Sequence, residues 1–130
     1  MTSMIDFELD ERCSVLHVRP TGPLRKEDFD ALARKADPFI ERSGGLAGLL
    51  IEAKQFPGWQ DFGAAARHFR FVREHHRKIA RIAVVTDSPI GALAEHLASH
   101  FVAAQIKRFP AGQAEAAMQW IAQSGNKPER

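Results

Sequence analysis

A chain of 130 residues, 45% hydrophobic and 26% charged, is long enough for one domain that buries about two thirds of its unfolded surface, and it needs no disulfide or metal staple. Cys13 is the only cysteine, which excludes an internal disulfide and favours a reducing compartment; a formal net charge of +2 is too small to argue for nucleic acid. No apolar run approaches the roughly 20 residues of a spanning helix, and an amino terminus carrying Asp6, Glu8, Asp10 and Glu11 does not read as a secretory signal, so the expected place is the cytoplasm.

Ile5, Phe7 and Leu9 alternate with acidic residues as a half-buried strand does, and Val15 to Arg19 follows a turn at Glu11 to Ser14 as a second strand. The two predict an opening hairpin. Pro20, Gly22 and Pro23 end the second strand, and a helix is predicted from Lys26 to Arg42, burying Phe29, Leu32, Ala33, Ala36, Phe39 and Ile40. Pro38 sits inside that helix, so a kink or break is expected near Asp37. Beyond Ser43, Gly44 and Gly45 the pattern alternates: strand Ala47 to Ile51, helix Gln60 to His76, strand Ile79 to Val85, helix Pro89 to Phe101, strand Ala104 to Phe109, helix Gln113 to Gln123. Continuous apolar strands between helices of crossover length define an α/β fold: a single-layer, mostly parallel five-stranded sheet with four βα turns and an N-terminal antiparallel hairpin strand. One domain is expected over residues 1–124, with a flexible tail at 125–130.

The hairpin followed by βα turns, with the local texts LLIEAKQFPGW, RIAVVTD and IKRFPAGQAEAAMQWI, resembles the SpoIIAA-like proteins, relatives of the STAS domain of anti-sigma factor antagonists and sulfate transporters. The resemblance implies a small regulatory or ligand-binding module, one that in some members associates with membranes or binds amphipathic ligands in a SEC14-like manner. In the antagonists the loop after the third strand carries a phosphorylatable serine. Here no serine or threonine occurs between Ser43 and Thr86, so that switch cannot sit on this loop.

Open α/β sheets bind ligands beyond the carboxyl ends of their strands, where this chain places Phe56, Pro57, Gly58 and Trp59. Phe56 and Trp59 are candidates for the mouth of an apolar pocket, with Pro57 and Gly58 as a turn able to move as a lid. Phe62 is a further candidate, although its spacing with Ala66, Phe69 and Val72 favours the core. Asp87 is expected at the same edge, where it would orient a polar group, and Ile90 completes the candidate ligand set; Ser88 and Pro89 read as a helix cap. The helix from Gln60 to Lys78 is basic, with Arg67, Arg70, Arg73, Arg77 and Lys78 beside His68, His75 and His76. If its core face runs through Phe69 and Val72, Phe71 points outward among cations. Arg67, Arg70, Phe71 and Lys78 are thus the candidate surface for an anionic membrane or a partner, against the plainer reading of a solvated face or a dimer contact.

His96 and His100 share a predicted helical face but lack a third ligand, so no metal is expected, and no cofactor either. No phosphate loop, nucleophile elbow or paired-carboxylate arrangement is present, which makes an enzyme the weaker class and leaves no catalytic residue to name. The expected function is a non-enzymatic module that binds a lipid-like small molecule or an anionic membrane surface, with a peripheral place at the inner membrane allowed. The alternative is a protein-interaction module in an anti-sigma-factor-antagonist-like network. Candidate partners are therefore the small molecule, the membrane, a regulatory protein or a second copy of the chain, and not nucleic acid.

Overall fold

The computed structural model describes residues 5–55, 57–88 and 103–125. The predicted helix from Pro89 to Phe101, with Ile90, His96 and His100, lies outside the described residues, as do Phe56 and the tail beyond Gly125. Strands β1 (Ile5–Asp10) and β2 (Val15–Pro20) form the expected antiparallel hairpin, in register from Ile5 opposite Pro20 to Asp10 opposite Val15. Ser14 takes φ 62 in its turn, and the Asp10 carboxylate accepts the Arg12 and Cys13 amides at 3.0 and 3.2 Å. Strands β3 (Leu46–Glu52), β4 (Ile79–Val85) and β5 (Gln105–Phe109) then add in parallel, giving a five-stranded sheet in the order β1-β2-β3-β4-β5. The mixed, mostly parallel architecture is the one the apolar periodicity predicted.

Alternation divides the sheet into two faces. Leu16 and Val18 of β2 and Leu49 and Ile51 of β3 join the cluster beneath helix α1 (Lys26–Ser43). Their neighbours Val15, Leu50, Ala83, Val85 and Phe109 join the opposite cluster, closed by Ala117 and Ile121 of helix α3 (Ala114–Gly125). This second interface is tight because small residues line it: a Cβ built on Gly48 would stand 2.3 Å from Ile121 Cγ2. Helix α2 (Phe62–His75), followed by a 3-10 turn over His76–Lys78, lies on the α1 side and leans mainly on α1.

Of the expected kink or break at Pro38 the break does not occur: helix α1 runs on to Ser43. Proline removes the amide that would bond to the Arg34 carbonyl, but residues 34 and 38 are both exposed, where water can satisfy that carbonyl. Meanwhile Phe29, Leu32, Ala36, Phe39 and Ile40 hold both halves of the helix in the core. The helix ends at Gly44, whose φ of 92 lets its amide reach the Ile40 carbonyl at 2.7 Å.

The rotation of α2 about its own axis also differs from the expected one. Phe62 is 92% and Phe69 70% exposed, whereas Phe71 is buried at 8%. Two patterns compete in this helix, Phe62-Ala66-Phe69 and Ala64-His68-Phe71-His75, and contacts with α1 select the second. Arg67 pairs with Asp30, the His75 ring meets the Asp37 carboxylate at 2.7 Å, and Phe71 lies 6.2 Å from Phe29, centroid to centroid. Phe71 and Arg67 are therefore not the outward surface that the sequence suggested. Asp61 caps the helix, its carboxylate accepting the Ala64 amide at 2.9 Å.

Candidate functional site

Among the described strands the order never reverses, so the sheet has no topological switch point and no crevice of the kind that arises there. The hollow lies instead between α2 and the sheet. A cavity of about 290 Å³ is floored by Val18, Leu49, Ile51, Ile82, Val84 and Ile106 from four adjacent strands. Among the described residues, Phe71 and Val72 of α2 roof it, with Phe29 and Leu32 of α1 closing one side. Three histidines, His68, His75 and His76, also reach its wall.

Trp59, 40% exposed, stands at the rim and lines the cavity. Its backbone is held rather than loose. Leu24 and Trp59 form an isolated parallel bridge, with the Leu24 amide donating to the Gly58 carbonyl at 2.8 Å and the Gln60 amide to the Leu24 carbonyl at 2.7 Å. Gly58 has φ 86, a conformation open to glycine, which lets the chain turn into that bridge. These bonds join the loop, from Gly58 to Gln60, to the segment after β2. A second tie links the loop to the segment after β4, where Thr86 Oγ1 donates to the Lys54 carbonyl at 3.1 Å and the Asp87 amide to the same oxygen at 2.9 Å.

The remaining sequence candidates scatter. Phe62 projects into solvent and takes no part in the cavity wall. Asp87 is exposed, and its Oδ1 accepts the Ala111 amide at 2.9 Å, which fixes the turn between β5 and α3 instead of facing the hollow. Arg70 pairs with Glu74 one turn on, at 3.2 Å. Lys78 is exposed in the 3-10 turn. Phe71, expected outside, is a wall residue.

The histidines are what the sequence reading missed, having counted them only as part of a basic stretch. The His68 ring stacks on Phe29 at 4.8 Å, and its Nδ1 accepts the Trp59 indole N–H at 3.1 Å. An indole N–H can only donate, so Nδ1 carries the lone pair, and the neutral ring holds its proton on Nε2. Burial pushes the His68 pKa down to about 4, in keeping with a neutral imidazole. His75 is fully engaged: Nδ1 reaches the Phe71 carbonyl at 2.8 Å and Nε2 the Asp37 carboxylate at 2.7 Å. His76 Nδ1 accepts the Ala103 amide at 2.9 Å. The only sequence signal for these positions was the spacing of His68, Phe71 and His75, visible once α2 is turned correctly. Among the described residues, no cluster of three histidine, cysteine or carboxylate side chains is placed to hold a metal ion. None of the described helices is long and apolar enough to cross a membrane.

A hairpin-led parallel sheet with helices on both faces and an apolar hollow under one of them defines a small STAS-type α/β module. The profile of the SpoIIAA-like family matches residues 15–122, and the chain belongs to that family. The crystal structure of an uncharacterised protein with a SpoIIAA-like fold from Shewanella loihica PV-4 is similar over 90% of this chain and 91% of that one, with TM-score 0.66 and 18% sequence identity. That likeness extends to the fold alone. No curated protein matches the chain.

Proposed function

We propose that this SpoIIAA-like protein is a binding module, without chemistry of its own, that takes a lipid-like small molecule into the hollow between α2 and the sheet. The observation that carries the reading is the cavity itself, about 290 Å³ with an aliphatic floor and a half-exposed tryptophan at its rim. That volume is near the lower end of the roughly 300–1,000 Å³ of small-molecule sites, which suits a single alkyl chain better than a two-chain lipid. Each methylene taken from water gains about 0.8 kcal/mol, so a medium-length chain has ample driving force. The test is a thermal-denaturation series with octanol, decanol and dodecanol, alongside mass spectrometry of an organic extract of the purified protein. A midpoint that rises with chain length and then levels off supports the reading; no shift with any alcohol, together with a clean extract, overturns it.

A second reading, an anionic membrane surface, draws on the outer face of α2. Phe62 and Phe69 are exposed there beside exposed Arg70 and Arg73, with Arg77 and Lys78 following in the 3-10 turn. Apolar insertion flanked by cations is the composition of an interfacial helix. Co-sedimentation with phosphatidylserine vesicles that fails with phosphatidylcholine, weakens with salt and disappears in a Phe62→Ser, Phe69→Ser variant supports it. Equal recovery of wild type and variant with the vesicles removes it.

A further inference from the structure

We propose that His68 selects the head of the bound molecule, its Nε2–H donating to a single neutral acceptor oxygen (alcohol, ketone or ester) of a single-chain amphiphile whose tail lies along the strands. This rests on the cavity reading above and adds the chemical class of the ligand. Three observations carry it. The Trp59 indole fixes the tautomer, leaving a donor and not an acceptor at Nε2. The ring is held in place by stacking on Phe29 at 4.8 Å, so the donor direction is set before a ligand arrives. Nε2 has no partner among the described residues, although His68 is part of the cavity wall.

The other wall histidines do not compete for that role at the rim. Both nitrogens of His75 are taken, by the Phe71 carbonyl and Asp37. His76 lies eight residues further along, about 12 Å by helical rise, beyond the reach of a head group seated beside Trp59. The neutrality of His68 decides the class of acceptor. A carboxylate drawn into an aliphatic hollow needs a cation to offset its lost hydration, and a neutral imidazole does not supply one. The burial that holds the ring's pKa near 4 works in the same direction. An alcohol or ester oxygen loses far less on leaving water, and one hydrogen bond from a fixed donor suffices to orient it.

The experiment compares decanol, methyl decanoate, decanoate and 1-chlorodecane, all with a ten-carbon chain, by calorimetric titration at neutral pH against wild type and His68→Phe. Phenylalanine keeps the stack on Phe29 and removes the donor. Wild type is expected to prefer decanol and methyl decanoate over 1-chlorodecane by roughly two- to tenfold, the range of one hydrogen bond. Decanoate is expected to be the weakest of the oxygen-bearing ligands, and His68→Phe to bind decanol and 1-chlorodecane alike. A preference that persists in His68→Phe, or decanoate binding best to wild type, overturns the assignment while leaving the cavity reading intact. Failure of all four to bind wild type overturns the cavity reading itself. Should the variant not fold, nitrogen-15 NMR of wild type decides: the His68 Nε2–H resonance must move with decanol and hold with 1-chlorodecane, and equal shifts refute the proposal.

Discussion

Acidification should destabilise this protein through His68 in a window that the structure defines. The ring's ordinary pKa of 6.5 falls to about 4 in the folded state because burial penalises the charged form. A group whose folded pKa is depressed is neutral in both states above pH 6.5, so it contributes no pH dependence there. Between 6.5 and about 4 the unfolded chain binds the proton and the folded chain does not, so stability falls as pH falls. At about 1.36 kcal/mol per pH unit, the full window corresponds to about 3 kcal/mol, and the ring's partial exposure brings the expected loss nearer 2 kcal/mol. That is a sizeable part of a typical 5–15 kcal/mol domain stability. The assay is urea denaturation followed by circular dichroism at steps from pH 7 to pH 4, for wild type and His68→Phe. Groups common to the two proteins cancel in the difference, leaving wild type to lose about 2 kcal/mol more. Parallel curves would refute the claim that His68 is buried neutral.

Three further outcomes test the packing. Phe71→Ala should cost about 3–5 kcal/mol, as loss of a buried aromatic does, while Phe69→Ala should change stability by less than about 0.5 kcal/mol; equal losses in chemical denaturation would mean α2 is turned the other way. Gly48→Ala should destabilise by about 1–3 kcal/mol, because the added methyl meets the fully buried Ile121 side chain at 2.3 Å and that residue has no room to yield; an unchanged melting temperature would contradict the close approach of α3. Val84→Phe places a ring on the cavity floor and should abolish alkyl-ligand binding at a stability change within about 1.5 kcal/mol of wild type, checked by titration with decanol; retained affinity would place the ligand elsewhere.

The sheet was readable from the sequence because its strands are short, apolar and separated by strong turn residues: Gly44 and Gly45 before β3, and Gly22 and Pro23 after β2. Trp59 stands out in the sequence because an aromatic amid Pro57, Gly58 and Gln60 has no periodic partner to pack with. Helix α2 was not. Phe62, Phe69 and Phe71 give two apolar faces of equal weight about its axis, and hydropathy alone cannot choose between them. The choice is made by polar contacts from another element, the Asp30 and Asp37 carboxylates of α1 meeting Arg67 and His75. Those pairings join positions 37 and 38 residues apart, which no local spacing rule records. The cavity was illegible for the same reason, since its wall exists only once α2 is turned.

The two faces of one sheet end in opposite packing outcomes, and side-chain size on each accounts for it. Toward α3 the strands present Gly48 and Ala83, and the helix answers with Ala117, so backbones approach until Ile121 touches the sheet directly. Toward α2 the strands present Val18, Leu49, Ile51, Ile82 and Val84, and the helix answers with Phe71, Val72 and His75. Large groups on both sides hold the helix away from the strands. The ties of α2 to α1 through Asp30 and Asp37 draw it sideways, not down onto the sheet. Both faces still carry a buried apolar cluster, closed by Ala117 and Ile121 on the α3 side and by Phe29, Leu32, Phe39 and Ile40 of α1 on the other. The core beneath α1 anchors the α2 side through Phe29 and Phe71, so a cavity beside it can be maintained within a domain of this size.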